Sequence, residues 1–184
     1  MGVLYLFIME SRYSFVGHGI EEYVKKKEAI ADSISQSVGN FCDRHRQLTE
    51  EVTIRKPSES GWTIKEIVGH LIDSAANNHQ RITRLQLVAE LQFPPYENEK
   101  WLAAEKWNFL GWFEILGLFQ SYNLFLVHLI RNVDPGNLNH RWFGRDRFGE
   151  RIYTLEEIIV DYRTHLQEHL DQIETQLKEF RGDD

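Results

Sequence analysis

Apolar residues recur at three- and four-residue steps over four stretches of the chain, and each stretch therefore predicts an amphipathic helix. The first runs from roughly Ile20 to Cys42. Its stripe is Ile20, Tyr23, Val24, Ile30, Ile34 and Val38, while Lys25, Lys26, Lys27 and Glu28 largely face water. The second opens at Thr63 and continues to about Glu90 through Ile64, Ile67, Leu71, Ile82, Leu85 and Val88. The third spans about Trp112 to Val133, with Phe113, Leu116, Phe119, Leu124, Val127 and Ile130 apolar. The fourth starts at Thr154 and reaches about Phe180 through Ile158, Ile159, Tyr162, Leu166, Leu170, Ile173 and Leu177.

Local chemistry marks the ends of these stretches. Thr63-Ile64-Lys65-Glu66 and Thr154-Leu155-Glu156-Glu157 are capping boxes, in which the threonine accepts from a backbone N–H and the glutamate reaches back. Pro94-Pro95 forbids helix, and Asp134-Pro135-Gly136 stops the third stretch. Two connections are long. Gln92 to Gly111 carries Trp101 and Trp107 and predicts a short helix between them. Asp134 to Tyr153 carries Arg141-Trp142-Phe143 and Arg151-Ile152-Tyr153, which predict a small hairpin across the Gly144–Gly149 turn region. Structureless loops of this length are uncommon in compact domains, so both are expected to be ordered. There is no internal repeat, low-complexity segment or linker. The reading is one all-α domain over residues 1–184, a four-helix bundle with long crossover connections. Residues 1–17 are expected to be a poorly ordered N-terminal extension.

Bulk composition narrows the function. The chain is 184 residues long, 42% hydrophobic and 27% charged, which suits a folded domain and not a disordered one. Its formal charge is -7 with no basic block, so neither nucleic acid nor a membrane surface is an expected partner. The single cysteine, Cys42, cannot form an internal disulfide and reads as a small packing residue. The apolar run Val3–Met9 is too short to span a bilayer and meets Glu10 instead of a small-residue cleavage site. Met9 is a second candidate start. A cytoplasmic protein is expected.

Candidate chemistry lies in the histidines. His165 and His169 are four residues apart on the fourth helix, a step of about 400°, which places both imidazoles on one face about 5–6 Å apart. Such a pair clamps a metal at two points, although two histidines at this spacing also occur on ordinary helices. The same residues match His-x-x-Glu-His of inverted zinc peptidases. Those enzymes need a third, acidic ligand well downstream, and only 15 residues follow His169, so Glu174 and Glu179 cannot fold back. His70 shares a stripe with Ile67 and Ser74 and points inward from the second helix. It is a third ligand or a hydrogen-bonded core histidine. With it, three neutral imidazoles would hold a divalent transition ion and leave positions open.

Ser74, Asn77 and Arg81 follow His70 on nearly the same face and are candidate substrate-binding residues; a solvated edge is the alternative. Asp73 and Asp161 lie within a turn of a histidine, as ring-orienting acceptors or as exposed carboxylates. His79 is about 180° from His70 and is excluded. His128 is core or pocket, and His18, His45 and His140 read as surface or loop residues. Trp112 and Phe113, with Leu118 and Phe125 off the main stripe, leave excess apolar surface on the third helix and suggest a homodimer.

The segments Gly61-Trp62-Thr63-Ile64-Lys65-Glu66-Ile67-Val68-Gly69-His70-Leu71-Ile72-Asp73-Ser74 and Tyr162-Arg163-Thr164-His165-Leu166-Gln167-Glu168-His169-Leu170-Asp171-Gln172-Ile173 resemble the second- and fourth-helix signatures of the DinB/YfiT-like superfamily. Pro95-Tyr96-Glu97-Asn98-Glu99-Lys100-Trp101 resembles its connection after the second helix. The resemblance runs from about Ile20 over most of the chain. It implies a bundle in up-down-down-up order, with a nickel- or zinc-type ion on His70, His165 and His169. It also implies metal-dependent chemistry on a small-molecule substrate: transfer of a low-molecular-weight thiol to an electrophile, or hydrolysis. A non-catalytic, metal-stabilised binding bundle is the reading from another class. Trp101 and Trp107 would cover the mouth of the site.

Overall fold

Pairs of side chains fix the direction of every long helix in the computed structural model, which describes residues 3–146 and 149–182. In chain order the elements are α1 (Val3–His45), α2 (Glu50–Thr53), α3 (Ile64–Leu85), β1 (Glu90–Gln92), α4 (Asn98–Glu105), α5 (Trp112–Arg131), β2 (Arg141–Asp146), β3 (Gly149–Thr154) and α6 (Leu155–Arg181). Lys26, Ser37 and Arg44 of α1 bond Glu156, Gln167 and Glu174 of α6, each across 130 residues, so these two helices are parallel. Arg131 at the end of α5 pairs with Glu28 and Asp32 of α1, while Trp112 at its start donates to the His45 carbonyl. α5 is therefore antiparallel to α1. Gln176 reaches the Trp62 carbonyl and His165 meets His70, which makes α3 antiparallel to α6. The order is up-down-down-up, with α1 and α3 each packed against both α5 and α6.

The stripes read from the sequence form one core. Ile34 and Val38 of α1, Ile67 and Leu71 of α3, Ile115 and Phe119 of α5, and Ile159 and Ile173 of α6 are all buried. Fully burying such a side chain contributes about 1.5–3 kcal/mol. Both capping boxes form. Thr63 Oγ1 accepts from the Glu66 N–H at 3.1 Å and Thr63 N–H donates back at 2.8 Å. Asn108 bonds both residues of that box and so ties the start of α3 to a 3-10 turn at Trp107–Phe109.

Two boundaries depart most from the periodicity. α1 begins at Val3, well before Ile20. α3 stops at Leu85, not Glu90, because its last carbonyls are claimed from outside the helix. The His140 ring bonds the Leu85 carbonyl, and Asn137 donates to that of Gln86. The chain then enters β1, which pairs in parallel with Arg141–Phe143 of β2. Leu87 and Val88 are accordingly exposed. The expected hairpin is present, with Trp142 opposite Tyr153 and Phe143 opposite Ile152. Turn residues 147 and 148 lie outside the described residues. The bundle thus carries a minor three-stranded sheet in the order β1-β2-β3.

The single-turn α2 has no periodicity to reveal it. It brings Glu50 to Lys65, a lysine buried in α3 that also donates to the Leu110 carbonyl at 2.6 Å. Glu50 Oε1 accepts from Trp112 N–H at 2.8 Å, so one carboxylate joins α2, α3 and the start of α5.

α5 is long and apolar enough, by length and composition, to cross a membrane, although 39% of its most apolar window is buried in the bundle. Its inner face is core. Phe113, Leu118, Leu124 and Phe125 on the other side are exposed, and the long connections do not cover them. Trp112, expected with them at the surface, is buried.

Candidate metal centre

Because α3 and α6 are antiparallel neighbours, residues 95 positions apart meet. His70 Nε2 and His165 Nε2 lie 3.1 Å apart. The ring centroids of His70, His165 and His169 are separated by 5.0, 4.8 and 4.6 Å, and one nitrogen from each lies within 4.8 Å of the others. A filled site would draw such nitrogens to about 3–4 Å, a change that small ring rotations supply.

The donor set suits a cation. His70 is buried, and burial first, then the neighbouring His165 and His169, lower its pKa to about 3. His165 is lowered to about 4, again by burial and then by His169. Both rings are therefore neutral at physiological pH, with lone pairs available. His165 Nδ1 sits 3.4 Å from Ser74 Oγ and His169 Nδ1 sits 2.8 Å from Gln172 Oε1. These contacts occupy Nδ1 in both α6 histidines and leave Nε2 to ligate, as outer hydrogen bonds do in metal sites generally. His70 Nδ1 is buried without a hydrogen-bond partner among the described residues.

Aromatic rings wall the histidines. Trp62, one residue before the α3 cap, lies edge-on to His70 at 5.2 Å and stacks on His169 at 6.4 Å. Tyr96, from the connection after β1, lies 6.2 Å from His70 and 4.8 Å from Trp101. Trp107 packs directly on α3 at Gly69. A Cβ there would come within 2.4 Å of the indole, so only glycine admits this approach. Trp101 thus reaches the mouth through Tyr96, while Trp107 serves as a clamp behind His70.

The polar residues following His70 diverge. Ser74 is buried, with its Oγ beside His165 Nδ1. Asn77 is also buried, and its amide donates to the Asp73 carbonyl of its own helix at 2.9 Å. The structure gives it no contact with the histidines. Arg81 lies half-buried over the Trp142 ring at 4.2 Å, with Asp161 and Tyr96 nearby in charge and its Nε without a partner. Burial lowers its pKa without neutralising it. A cleft of about 500 Å³ runs beside α6 between Tyr153, Asp161 and Thr164, within one turn of His165.

Other titratable groups depart from the sequence reading. Asp73 neither orients a histidine nor faces solvent. It is buried against Glu105 of α4, and its pKa rises to about 8 through burial and this carboxyl contact. His45 is buried on Glu174 and is not a surface residue, whereas His140 is a half-buried loop residue whose ring bonds the Leu85 carbonyl at the end of α3. His128 is exposed, and His79 bonds the Tyr122 hydroxyl away from the site. Cys42 is buried and its thiol is pushed up to about 11, as a packing residue would be. The His18 side chain lies outside the described residues. Sequence reasoning missed Trp62, Tyr96, Gln172 and Glu105. Trp62 and Tyr96 were visible within the motif segments, whereas the other two show their role only once the helices are assembled.

The family model of the DinB superfamily matches residues 36–173, from the last quarter of α1 to the last turns of α6. The chain belongs to the DinB superfamily. The match encloses His70, His165 and His169 and agrees with the resemblance of the two helix motifs. Among members, a Bacillus mycoides (strain KBAB4) protein named provisionally as a metal-dependent hydrolase is 22% identical over 160 residues, covering 87% of this chain and 86% of its own. Among solved structures, Bacillus subtilis YfiT, described as a candidate metal-dependent hydrolase with an unusual four-helix bundle topology, superposes with a TM-score of 0.73 at 20% identity. That likeness covers 87% of this chain and 90% of YfiT and establishes the shared fold.

Proposed function

We propose that this DinB-superfamily member is a metal-dependent enzyme, with His70, His165 and His169 as ligands to a divalent transition ion of the nickel or zinc type. The single observation carrying this reading is the meeting of three imidazoles from two antiparallel helices. A bound ion would supply Lewis acidity, making an adjacent thiol or water easier to deprotonate. Ser74 and Gln172 orient the α6 rings through Nδ1. Trp62 and Tyr96 exclude water from one side. Arg81 presents a planar fork suited to the carboxylate of an anionic small molecule. Ser74, buried beside His165, and Asn77, whose amide donates to the Asp73 carbonyl, are the further candidate substrate contacts.

The first chemistry proposed is transfer of a low-molecular-weight thiol to an electrophilic small molecule. Hydrolysis is the second, favoured by the names of the two relatives. With metal-loaded protein, thiol conjugation to a model electrophile and ester hydrolysis are measured side by side. Wild type is expected to turn over one of them and His165→Ala neither. Arg81→Ala keeps its metal and loses affinity for anionic substrates by about tenfold or more, as loss of a charge-assisted hydrogen bond predicts. Equal rates for wild type and His165→Ala sink the catalytic reading and leave a metal-stabilised binding bundle.

A cytoplasmic homodimer is proposed with it. Phe113, Leu118, Leu124 and Phe125 are exposed apolar side chains of α5, which a second copy would cover. Light scattering at tens of micromolar is expected to give twice the chain mass; a monomer mass removes this part.

A further inference from the structure

One cation on the histidine face of α3 stands without a counter-charge. Arg81 lies on the same side of that helix as His70, about two turns beyond Ser74. It is half-buried, and among the described residues no carboxylate stands within salt-bridge distance of it. Two neighbours hold its guanidinium in place. Trp142 of β2 lies beneath it, with the guanidinium carbon 4.2 Å from the ring centroid. Asn78 Oδ1, one turn back on α3, accepts from Nη1 at 3.5 Å. Nε is buried and has no hydrogen-bond partner among the described residues. An enclosed donor left unpaired costs about 1–3 kcal/mol, and an acceptor placed there removes that cost.

Both neighbours are themselves fixed. The Trp142 indole N–H donates to the Phe93 carbonyl at 2.8 Å, and the ring stacks on Tyr153 at 5.9 Å. Gly144, two residues further along β2, makes room for the indole: a Cβ there would come within 2.1 Å of it. Asn78 is buried, and its amide N–H donates to the Ser74 carbonyl at 2.9 Å, which leaves Oδ1 to receive Nη1. With the indole on one face and the amide at one corner, the Nε–Nη2 edge of the guanidinium remains. That edge carries two parallel N–H groups and matches the two oxygens of a carboxylate.

We propose that Arg81 seats a carboxylate of the substrate on its Nε–Nη2 edge, with Trp142 and Asn78 as the positioning residues that present that edge. That Arg81 meets substrate is the reading above; the edge it uses and the residues that set it rest on the contacts just described. The electron-rich face of Trp142 supports the positive charge without neutralising it, a contact worth about 0.5–2 kcal/mol. A carboxylate on Trp142's side of α3 would have done the opposite and closed the seat. One guanidinium balances one negative charge, so the seat suits a carboxylate monoanion and not a phosphate dianion. A molecule anchored there lies on the face of α3 that carries His70, so its remaining length can extend toward the three imidazoles.

The test is proton–nitrogen NMR of the arginine Nε–H groups in the full-length, metal-free protein, titrated with acetate, benzoate and inorganic phosphate. The Arg81 signal is the one missing from Arg81→Lys. In wild type that signal is expected to move downfield and saturate with both carboxylates, and to respond more weakly to phosphate. Arg81→Lys keeps the charge but loses the edge and is expected to bind benzoate at least about tenfold more weakly. Gly144→Ala displaces the indole without touching Arg81, and about a tenfold loss is expected there too. Trp142→Phe keeps a ring face and is expected to stay within about threefold of wild type. Asn78→Asp sets a competing carboxylate on Nη1 and is expected to lose about tenfold or more. A platform that only supported the fold would lower the thermal midpoint of Gly144→Ala and leave its benzoate affinity unchanged, which overturns the positioning role while the Arg81 contact stands. An Arg81 signal in wild type that no carboxylate moves overturns both, and tighter binding of phosphate than of benzoate overturns the carboxylate assignment. Zinc calorimetry keeps the metal reading separate: wild type that binds benzoate as stated but no zinc overturns the metal centre and leaves the seat in place.

Discussion

Replacing His165 by alanine is expected to lower affinity for zinc or nickel by at least about a hundredfold, since loss of an outer partner to a ligand alone costs up to that much. His79→Ala is expected to change nothing, because His79 bonds Tyr122 on another side of α3. Calorimetry on protein freed of metal by chelation measures both. Equal losses would show that the ion, if bound, sits elsewhere. The same imidazoles give the metal-free protein a distinctive acid response. Unfolded, each titrates near 6.5; folded, His70 and His165 are held at about 3 and 4. Between pH 6.5 and about 4 the unfolded state therefore binds more protons than the folded one, and stability falls as pH is lowered through that window. His165→Asn removes one of these protons. Its loss of thermal midpoint between pH 7 and pH 4.5 is expected to be smaller than that of the wild type, and a difference of opposite sign would count against the depressed values.

The second large effect is a reversal of sign. Glycine inside a helix costs about 0.8–1.0 kcal/mol relative to alanine, so a helical Gly→Ala change ordinarily stabilises. Gly39→Ala in α1 should do so, since nothing lies within 4 Å of the added carbon. Gly69→Ala should destabilise, because its Cβ would sit 2.4 Å from the Trp107 indole. Overpacking of this kind costs about 1–3 kcal/mol against the helical gain, leaving a net loss of up to about 2 kcal/mol. Denaturant midpoints of the two variants on either side of wild type would establish the contrast. A stabilised Gly69→Ala would show that Trp107 is not pressed onto α3.

How far the sequence leads can be judged from individual residues. The four helices were legible because their apolar stripes are long and two of their starts carry threonine–glutamate boxes. His70, His165 and His169 were legible because helical geometry aligns the last two, and the inward stripe of the second helix put His70 forward as a third ligand that the motif resemblance also implied. The helix bounds at Leu85 and Val3 were not. Leu87 and Val88 look like a continued stripe, and only the distant His140 and Asn137 reveal that the helix is closed before them. β1 is three residues long and exists only as a partner of β2. Asp73 looked like any carboxylate on a helix, since its burial depends on where Glu105 and Tyr96 return. Asn77 occupied the right face of α3 and yet turned its amide to its own backbone. Side-chain destinations of this kind follow from neighbours remote in sequence, which no local pattern encodes.

Parallel α3 and α5 impose a length requirement. The 22 residues of α3 rise about 33 Å, and the chain must retrace that distance before α5 can begin in the same direction. About ten residues of extended backbone would cover it. The chain uses 26, from Gln86 to Gly111. The surplus supplies Tyr96, Trp101, Glu105 and Trp107, so everything that roofs and buttresses the histidines from that side is carried by the return journey. Shortening the segment to its geometric minimum would leave the bundle's helix directions intact while stripping the site bare. The traverse is thus the natural place for members sharing these directions to differ in what they admit to the same three imidazoles.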